Sequence, residues 1–183
     1  MDATVALIEE RGVEGFSLRE VARRAGVSPT APAYHFRDAR GLLTAVATEG
    51  FLALGDGLAA AEANAGDDRR AKLLALAHAY LEFALANRGR YMLMWRKGLL
   101  DMADAEHVAA GQRAFSMLDR SVRGNAAKRV RPDDPALAPS LACWSMVHGF
   151  ALLALDGAFE SQGGDPVAPA RTLLPLVLEH LRV

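Results

Sequence analysis

Apolar residues recur along the whole chain at spacings of three and four, which place side chains on one face of an α-helix. No run of alternating apolar and polar residues bounded by turn residues interrupts this pattern. The chain is therefore predicted to be all-α. Because 51% of its 183 residues are hydrophobic, it has ample apolar surface for a buried core.

Glycines, prolines and capping residues divide the helical pattern into about nine segments. The predicted helices cover about residues 2–11, 17–26, 28–36, 40–63, 69–87, 91–100, 104–130, 135–159 and 166–181. The first three are predicted to form a small N-terminal head, and the others a larger helical body.

The second and third segments have the features of a helix-turn-helix. Ser17 and Glu20 form a capping box, in which each side chain binds a free amide of the first turn. Gly26 ends this helix, and Ser28 is the predicted N-cap of the next, with Pro29 at the first helical position. In a helix-turn-helix the second helix presents its leading end outward, to the major groove of DNA.

The distribution of charge favours a nucleic-acid partner more than the total does. The chain has 21 basic and 22 acidic residues, a formal net charge of -1. Between Ser17 and Arg40, however, there are two acids and five arginines, namely Arg19, Arg23, Arg24, Arg37 and Arg40. This local excess predicts a basic binding face on an otherwise slightly acidic protein.

The same residues resemble the DNA-binding head of the TetR family of regulators. The similar sequence runs Phe-Ser-Leu-Arg-Glu-Val-Ala-Arg-Arg-Ala-Gly-Val-Ser over residues 16–28, then Tyr34-His35-Phe36 and Leu42-Leu43. The segment around Trp144, His148 and Gly149 is similar to the Trp-His-Gly signature of one subgroup's C-terminal domain. The resemblance implies a DNA-binding domain over residues 1–45 and a ligand-binding and dimerisation domain over residues 46–183. It also implies a ligand-responsive repressor.

The resemblance places the expected DNA contacts on particular residues. Ser17 and Arg19 would touch phosphate, and Ser28, Thr30 and Ala31 would face base edges. Tyr34 and His35 would flank the backbone, while Arg37 and Arg40 would add charge nearby. These residue types suit those roles, because hydroxyls and guanidinium groups bind phosphate and small side chains allow close approach to a thymine methyl.

The eighth segment is apolar at nearly every position between Leu137 and Leu155, so it is predicted to be buried on two sides. One row contains Leu141, Trp144 and His148, and another contains Cys143, Val147 and Phe150. We expect the protein's own helices to cover one row and a second subunit to cover the other. Pairing of the last two helices with their copies would give a two-fold dimer that matches a palindromic operator.

Methionine and aromatic residues of the body admit two interpretations. They could be packed core, in which flexible methionines fill gaps, or they could line a cavity for a small apolar or amphipathic inducer. In the second interpretation Tyr91 and His148 are the polar groups that would orient the ligand. The candidate ligand-binding residues are Phe83, Tyr91, Met92, Met94, Trp95, Phe115, Trp144 and His148.

Several other functions find no support in the sequence. Cys143 is the single cysteine and is predicted to be a small buried residue, and the five histidines show no metal-ligand spacing. No catalytic motif, cofactor motif, secretory signal or run of about 18 apolar residues is found, so a cytoplasmic protein without a membrane or cofactor partner is expected. The alternatives are an all-α small-molecule binding protein or enzyme with a structural N-terminal hairpin, and a helical protein that binds a different partner.

Overall fold

The computed structural model describes residues 1–124, 127, 133–159 and 167–180, and within them the chain contains nine α-helices and no strand. The predicted all-α class is thus confirmed. The helices are α1 (Asp2–Arg11), α2 (Leu18–Arg24), α3 (Ala31–Phe36), α4 (Ala39–Asn64), α5 (Arg69–Ala86), α6 (Arg88–Met94), α7 (Ala105–Arg123), α8 (Ala138–Leu155) and α9 (Ala168–Leu178). Short 3-10 turns cover Val13–Gly15, Lys97–Leu99 and Pro135–Leu137.

Most predicted boundaries lie within a few residues of the observed ones, and the differences have local causes. The sixth segment ends at Met94 instead of continuing to residue 100, because Lys97–Leu99 forms a separate 3-10 turn. The eighth begins with the 3-10 turn Pro135–Leu137, in which the side chain of Asp134 accepts the amide of Ala136. The predicted ends at residues 130, 166 and 181 lie outside the described residues.

The chain divides into two compact units. Unit 1 contains Met1–Ala53 and Asn87–Gln112, so the head is packed together with the first part of α4, with α6 and with the start of α7. Its core includes Leu7 and Tyr91, both fully buried. Two close helix contacts occur at glycines: a Cβ on Gly89 would lie 2.7 Å from Cγ of Glu9, and one on Gly50 would lie 2.6 Å from Sδ of Met94.

Unit 2 contains Leu54–Ala86 and Arg113–Val183, in which α5 packs against α8 and α9. Polar contacts connect its helices. Arg171 of α9 donates two hydrogen bonds to the carboxylate of Glu82 on α5, at 2.6 and 2.9 Å. The guanidinium of Arg69 at the start of α5 donates to the carbonyls of Ser121 and Val122 at the end of α7.

Helix α8 is buried on one side and exposed on another. Cys143, Val147 and Phe150 are all buried within unit 2, so the protein's own helices cover this row. The exposed large apolar side chains of this helix are Leu141 and Leu153, at 38% and 51% of their surface. Trp144 and His148 of the other predicted row are half-buried, and the exposed Leu153 belonged to neither row.

Two helical stretches, Ala39–Asn64 and Pro135–Leu155, are long and apolar enough to cross a membrane by length and composition alone. No uninterrupted run of about 18 apolar residues was expected. A window can still have a high mean hydropathy when isolated polar residues interrupt its apolar residues. Of the most apolar window of α4, 61% is buried inside the protein. The core helices of soluble proteins also meet this criterion, so it is weak evidence for a membrane.

Candidate nucleic-acid interface

Helix α2 begins and ends as its sequence predicts. The hydroxyl of Ser17 accepts the amide of Glu20 at 3.5 Å, which is half of the predicted capping box. At the other end, the amide of Gly26 donates to the carbonyl of Arg23 and the amide of Val27 to that of Ala22. These two hydrogen bonds form a Schellman motif, which requires a left-handed residue after the helix, and Gly26 has a φ of 67°. Local chemistry therefore fixes both ends of the helix.

Helix α3 starts later than predicted. Its N-cap is Thr30, not Ser28, and its first residue is Ala31. The Ser28 hydroxyl instead lies 3.1 Å from that of Thr30, in the turn before the helix. A start at Pro29 would have placed Pro32 at the fourth helical position and distorted the helix. Pro32 instead occupies the second position, where the missing amide breaks no intrahelical hydrogen bond.

The leading end of α3 is open to solvent, as a recognition helix requires. Of the nine predicted DNA-contacting residues, eight are exposed and Ala31 is half-buried. Tyr34 is the most exposed of the large apolar side chains, at 87% of its surface. Val27, in the turn between α2 and α3, is 45% exposed, whereas Val21 and Ala22 of α2 are buried.

The local excess of arginine is smaller than the sequence suggests. The guanidinium of Arg23 makes two hydrogen bonds of 2.8 Å with Glu20. Arg24 bonds to Glu20 at 3.0 Å and to Glu10, a residue of α1, at 2.5 Å. The hydrogen bonds from Arg23 and then Arg24 lower the pKa of Glu20 to about 2, so it stays ionised and neutralises its neighbours.

Arg40 also has a different role from the predicted one. Its Nη1 donates to the carbonyl of Leu100 at 3.0 Å and its Nη2 to that of Gly98 at 3.2 Å. The side chain thus holds the turn after α6 against the start of α4, and it keeps its positive charge because carbonyl groups are neutral. Within the described part of the chain, Arg19 and Arg37 have neither a hydrogen bond nor an ion pair through their side chains.

Residues of α2 and of the turn that follows it line a shallow groove of about 400 Å³. The lining residues are Ser17, Arg19, Glu20, Arg23, Val27 and Pro29. The groove brings the hydroxyl of Ser17 and the guanidinium of Arg19 to the same surface. Both can bind phosphate oxygens, so the groove has the chemistry needed to lie along a nucleic-acid backbone.

The turn between α3 and α4 is strained. Arg37 has a φ of 65° and a ψ of -54°, and the amide of Asp38 donates to the carbonyl of Phe36 at 2.8 Å. This is the γ-turn that side-chain-bearing residues rarely adopt. Asp38 then caps α4 by accepting the amide of Gly41 at 2.8 Å. The Arg37 side chain itself is exposed.

Replacing Arg37 with glycine is expected to stabilise the protein while weakening DNA binding. Glycine removes strain of about 1–3 kcal/mol, offset by about 0.5–1 kcal/mol of greater freedom in the unfolded chain, so a net gain of about 1 kcal/mol is expected. Urea unfolding and DNA affinity would be measured on the same preparation. As a control, Arg37→Ala keeps the strain and loses the charge, so DNA binding should weaken without a gain in stability. A loss of stability in the glycine variant would contradict the conclusion that the backbone is strained at Arg37.

The eight predicted ligand-binding residues are divided between the two units. Four are in unit 1, namely Tyr91, Met92, Met94 and Trp95. Tyr91 and Met94 are buried there, and the Trp95 ring lies edge-on to Phe51 at 5.3 Å. The same region contains His107, whose Nδ1 lies 3.1 Å from the Thr48 hydroxyl and whose pKa is lowered by burial. No sequence pattern indicated this contact, because the two residues are 59 positions apart.

The other four, Phe83, Phe115, Trp144 and His148, lie in unit 2. The Trp144 ring is 5.7 Å from that of Phe115 and 5.9 Å from that of His148. Tyr80, which was not among the predicted residues, places its hydroxyl 2.8 Å from Nδ1 of His148. Burial lowers the pKa of His148, so the ring is neutral at pH 7. A tyrosine on the buried face of α5 needs a polar partner for its hydroxyl. This requirement could have identified Tyr80 as a candidate residue from the sequence.

Cys143 is buried, as predicted, and burial raises the pKa of its thiol. A thiol of this kind is a poor nucleophile. In the described residues, no group of three or more His, Cys, Asp and Glu side chains could hold a metal ion.

Comparison with known proteins identifies the family. Residues 1–46 match the family model described as "Bacterial regulatory proteins, tetR family", and residues 73–176 match "Tetracyclin repressor-like, C-terminal domain". Neither match identifies the Trp-His-Gly subgroup, which stays a prediction.

A curated relative and two solved structures are similar over nearly the whole chain. The "Uncharacterized HTH-type transcriptional regulator YobS" of Bacillus subtilis is 25% identical over 88% of this chain and 80% of its own. A protein with unknown function from Rhodococcus sp. RHA1 is 35% identical, with a TM-score of 0.74, over 98% of this chain and 92% of its own. The regulator PfmR from Thermus thermophilus is 18% identical and shares the fold, with a TM-score of 0.72, over 100% and 98% of the two chains. The chain therefore belongs to the TetR family of helix-turn-helix transcriptional regulators, which are typically ligand-responsive repressors.

Proposed function

We propose that this protein is a cytoplasmic, non-enzymatic repressor that binds a palindromic operator as a homodimer and releases it when a small apolar or amphipathic molecule binds the body. The observation that carries the DNA-binding part is the open leading end of α3, where Ser28 and Thr30 are exposed. The domain limits proposed for these tasks remain residues 1–45 and 46–183.

Within the head, two kinds of contact are proposed. Ser17, Arg19 and Arg37 bind phosphate and set the register on the duplex, with Tyr34 and His35 beside the backbone. Ser28, Thr30 and Ala31 face the base edges and give sequence preference. The exposure of Arg19 and Arg37 and the hydroxyl-bearing turn before α3 support this division.

Selection of bound fragments from a random pool of double-stranded DNA tests the proposal most directly. The selected sites should contain an inverted repeat with half-sites about 10–10.5 base pairs apart, or a multiple of that distance, because a two-fold dimer reads successive turns of one face. Failure to enrich any sequence above input would favour the alternative of a small-molecule binding protein or enzyme with a structural hairpin. Enrichment of single, unpaired half-sites would argue against the dimer.

Arg19→Ala is expected to weaken binding to every duplex and to flatten its salt dependence, because a phosphate contact carries no sequence information. The slope of log K against log salt should fall by about 0.9 for each chain bound. Thr30→Ala should leave that slope unchanged and instead relax base preference at one position of each half-site. Affinities would be measured on the selected site and on three single-base variants over a salt series. Equal effects of the two substitutions would contradict the assignment.

The exposed apolar side chains of the last two helices support the dimer. On α8 these are Leu141 and Leu153, and on α9 they are Leu173 and Leu176, exposed over 37% and 52% of their surface. Burying such side chains between copies would contribute to association at about 25 cal/mol per Å² of apolar surface. The dimer is tested by light scattering, in which the 19.6 kDa chain should give twice that mass at micromolar concentration. A monomer would contradict the proposal.

The Tyr80 and His148 pair supports a ligand site in unit 2. It provides a hydroxyl and an imidazole at 2.8 Å from each other, beside the aromatic rings of Phe115 and Trp144. A few polar groups among apolar walls are typical of small-molecule sites. Screening apolar and amphipathic compounds for release of the selected DNA fragment would test this part of the proposal.

A further inference from the structure

The turn between α6 and α7 lies against the DNA-binding head within unit 1. It consists of Arg96, Lys97 and Gly98 and is called the 96–98 turn below. At one end Arg96 pairs with Glu14 at 3.3 Å, and Glu14 lies three residues before the N-cap of α2. At the other end the carbonyl of Gly98 accepts Arg40 of α4 at 3.2 Å. The turn is therefore held beside the starts of both α2 and α4.

Buried contacts fix this turn in place. Leu100, which directly follows the 3-10 turn Lys97–Leu99, is fully buried, and its carbonyl accepts the second hydrogen bond from Arg40. The amide of Asp101 donates to the hydroxyl of Thr44 at 2.8 Å, and Thr44 in turn donates to the carbonyl of Arg40. Because Thr44 is only 3% exposed, water does not compete for these bonds.

Some of the arginines of the head are already engaged within the protein. Arg23 and Arg24 are neutralised by Glu20 and Glu10, and the terminal nitrogens of Arg40 bind carbonyls. Lys97 is exposed and, among the residues that the structure describes, its ammonium group has no acid or carbonyl partner. It is also the sole lysine of unit 1.

We propose that Lys97 binds a DNA phosphate, so that the DNA-binding surface extends from the helix-turn-helix to the 96–98 turn. This inference rests on the proposed function. The two helix starts that hold the turn flank the recognition helix in the sequence, since α2 precedes it and α4 follows it. A lysine suits this role because its flexible stem carries a compact charge that needs no fixed geometry at the phosphate. The contact would strengthen binding to all sequences equally.

Lys97→Gln tests the proposal on the selected operator fragment, with affinity measured over a salt series. The slope of log K against log salt should fall by about 0.9 for each chain bound, and affinity at the lowest salt should drop several-fold. Lys97→Arg, which keeps the charge, should restore the wild-type slope. Lys72→Gln is the matched control, because Lys72 lies on α5 and pairs with Asp67 at 3.7 Å, and its loss should leave the slope unchanged.

The possible results separate this inference from the proposed function. If wild-type protein binds the fragment but Lys97→Gln has the wild-type slope, the contact is absent and the inference is overturned while DNA binding stands. An equal fall in slope for Lys72→Gln would also overturn it, because the effect would then come from total charge. If wild-type protein retains no DNA at all, the proposed function itself fails.

Discussion

Gly50→Val is expected to destabilise the protein by about 2–3 kcal/mol. Gly50 is buried on α4, where a Cβ would lie 2.6 Å from Sδ and 3.0 Å from Cγ of Met94 on α6. Met94 is only 2% exposed, so its side chain cannot move aside without disturbing other buried residues. Overpacking of this kind in a dense core costs about 1–3 kcal/mol, and valine adds two further methyl groups beyond the Cβ. Urea unfolding at fixed protein concentration would measure the change.

The same substitution on the same helix provides the control. Around Gly57 no atom lies within 4 Å of a built Cβ, and the residue is exposed. Gly57→Val should therefore leave stability unchanged or raise it slightly, since valine is a better helix former than glycine. Gly50→Val should cost less in a Met94→Ala background, because the clashing atoms are then gone. Equal stabilities of the two valine variants would show that α6 does not pack closely on α4.

The features of the head that could be predicted from the sequence are those made by neighbouring residues. The end of α2 at Gly26 and its start at Ser17 depend on hydrogen bonds that span five residues or fewer. The family resemblance rests on the same short segment. Even here the start of α3 was misplaced, because Ser28 and Thr30 can both serve as N-caps and each is followed by a proline within two residues.

The charge state of the DNA-binding face depends on contacts that a window of sequence does not contain. Counting from Ser17 to Arg40 included Glu20 but not Glu10, which is 14 residues before Arg24 and pairs with it. Arg40 binds carbonyls about 60 residues further on. The count of five arginines therefore included Arg23 and Arg24, whose charge is compensated by Glu20 and Glu10.

The body was predicted less well because side-chain chemistry alone does not show which helices pack together. The methionine and aromatic residues looked like one cluster, yet the chain distributes them equally between two units. Tyr80 was missed for the same reason, since its partner His148 is 68 residues away. Helical periodicity identifies a buried face, but the residue that meets it comes from the tertiary fold.

Asp119→Ala is expected to cost about 3 kcal/mol of stability, because it removes the shared acceptor of a buried network in unit 2. The Asp119 carboxylate, in α7, accepts two hydrogen bonds of 2.6 Å from Arg123 and one of 2.7 Å from the hydroxyl of Ser140 in α8. Asp119 is 8% exposed and Ser140 is fully buried. Without the carboxylate, a shielded guanidinium loses two hydrogen bonds and a buried hydroxyl loses one. Breaking such a network is costly because the polar groups left behind stay shielded from water.

The pH dependence of stability should report the same carboxylate. Hydrogen bonds from Arg123, and secondarily from Ser140, hold the pKa of Asp119 below its usual range. A group whose pKa is lower in the folded state stabilises that state above its unfolded pKa, about 3.9, and this contribution disappears as the pH falls through the folded value. The difference in unfolding free energy between wild type and Asp119→Ala should therefore be full at pH 7 and shrink in strong acid.

An exposed pair of the same residue types separates burial from charge. Asp56 lies 2.7 Å from Arg113, but its side chain is 69% exposed and that of Arg113 50%. Solvent screens such a pair, so Asp56→Ala should change stability too little to resolve by urea unfolding. Ser140→Ala, which keeps the ion pair and removes one hydrogen bond, should fall between the two, at about 1 kcal/mol. If Asp119→Ala were no worse than Asp56→Ala, the junction of α7 and α8 would be open to water, and the carboxylate would have no special part in joining these helices.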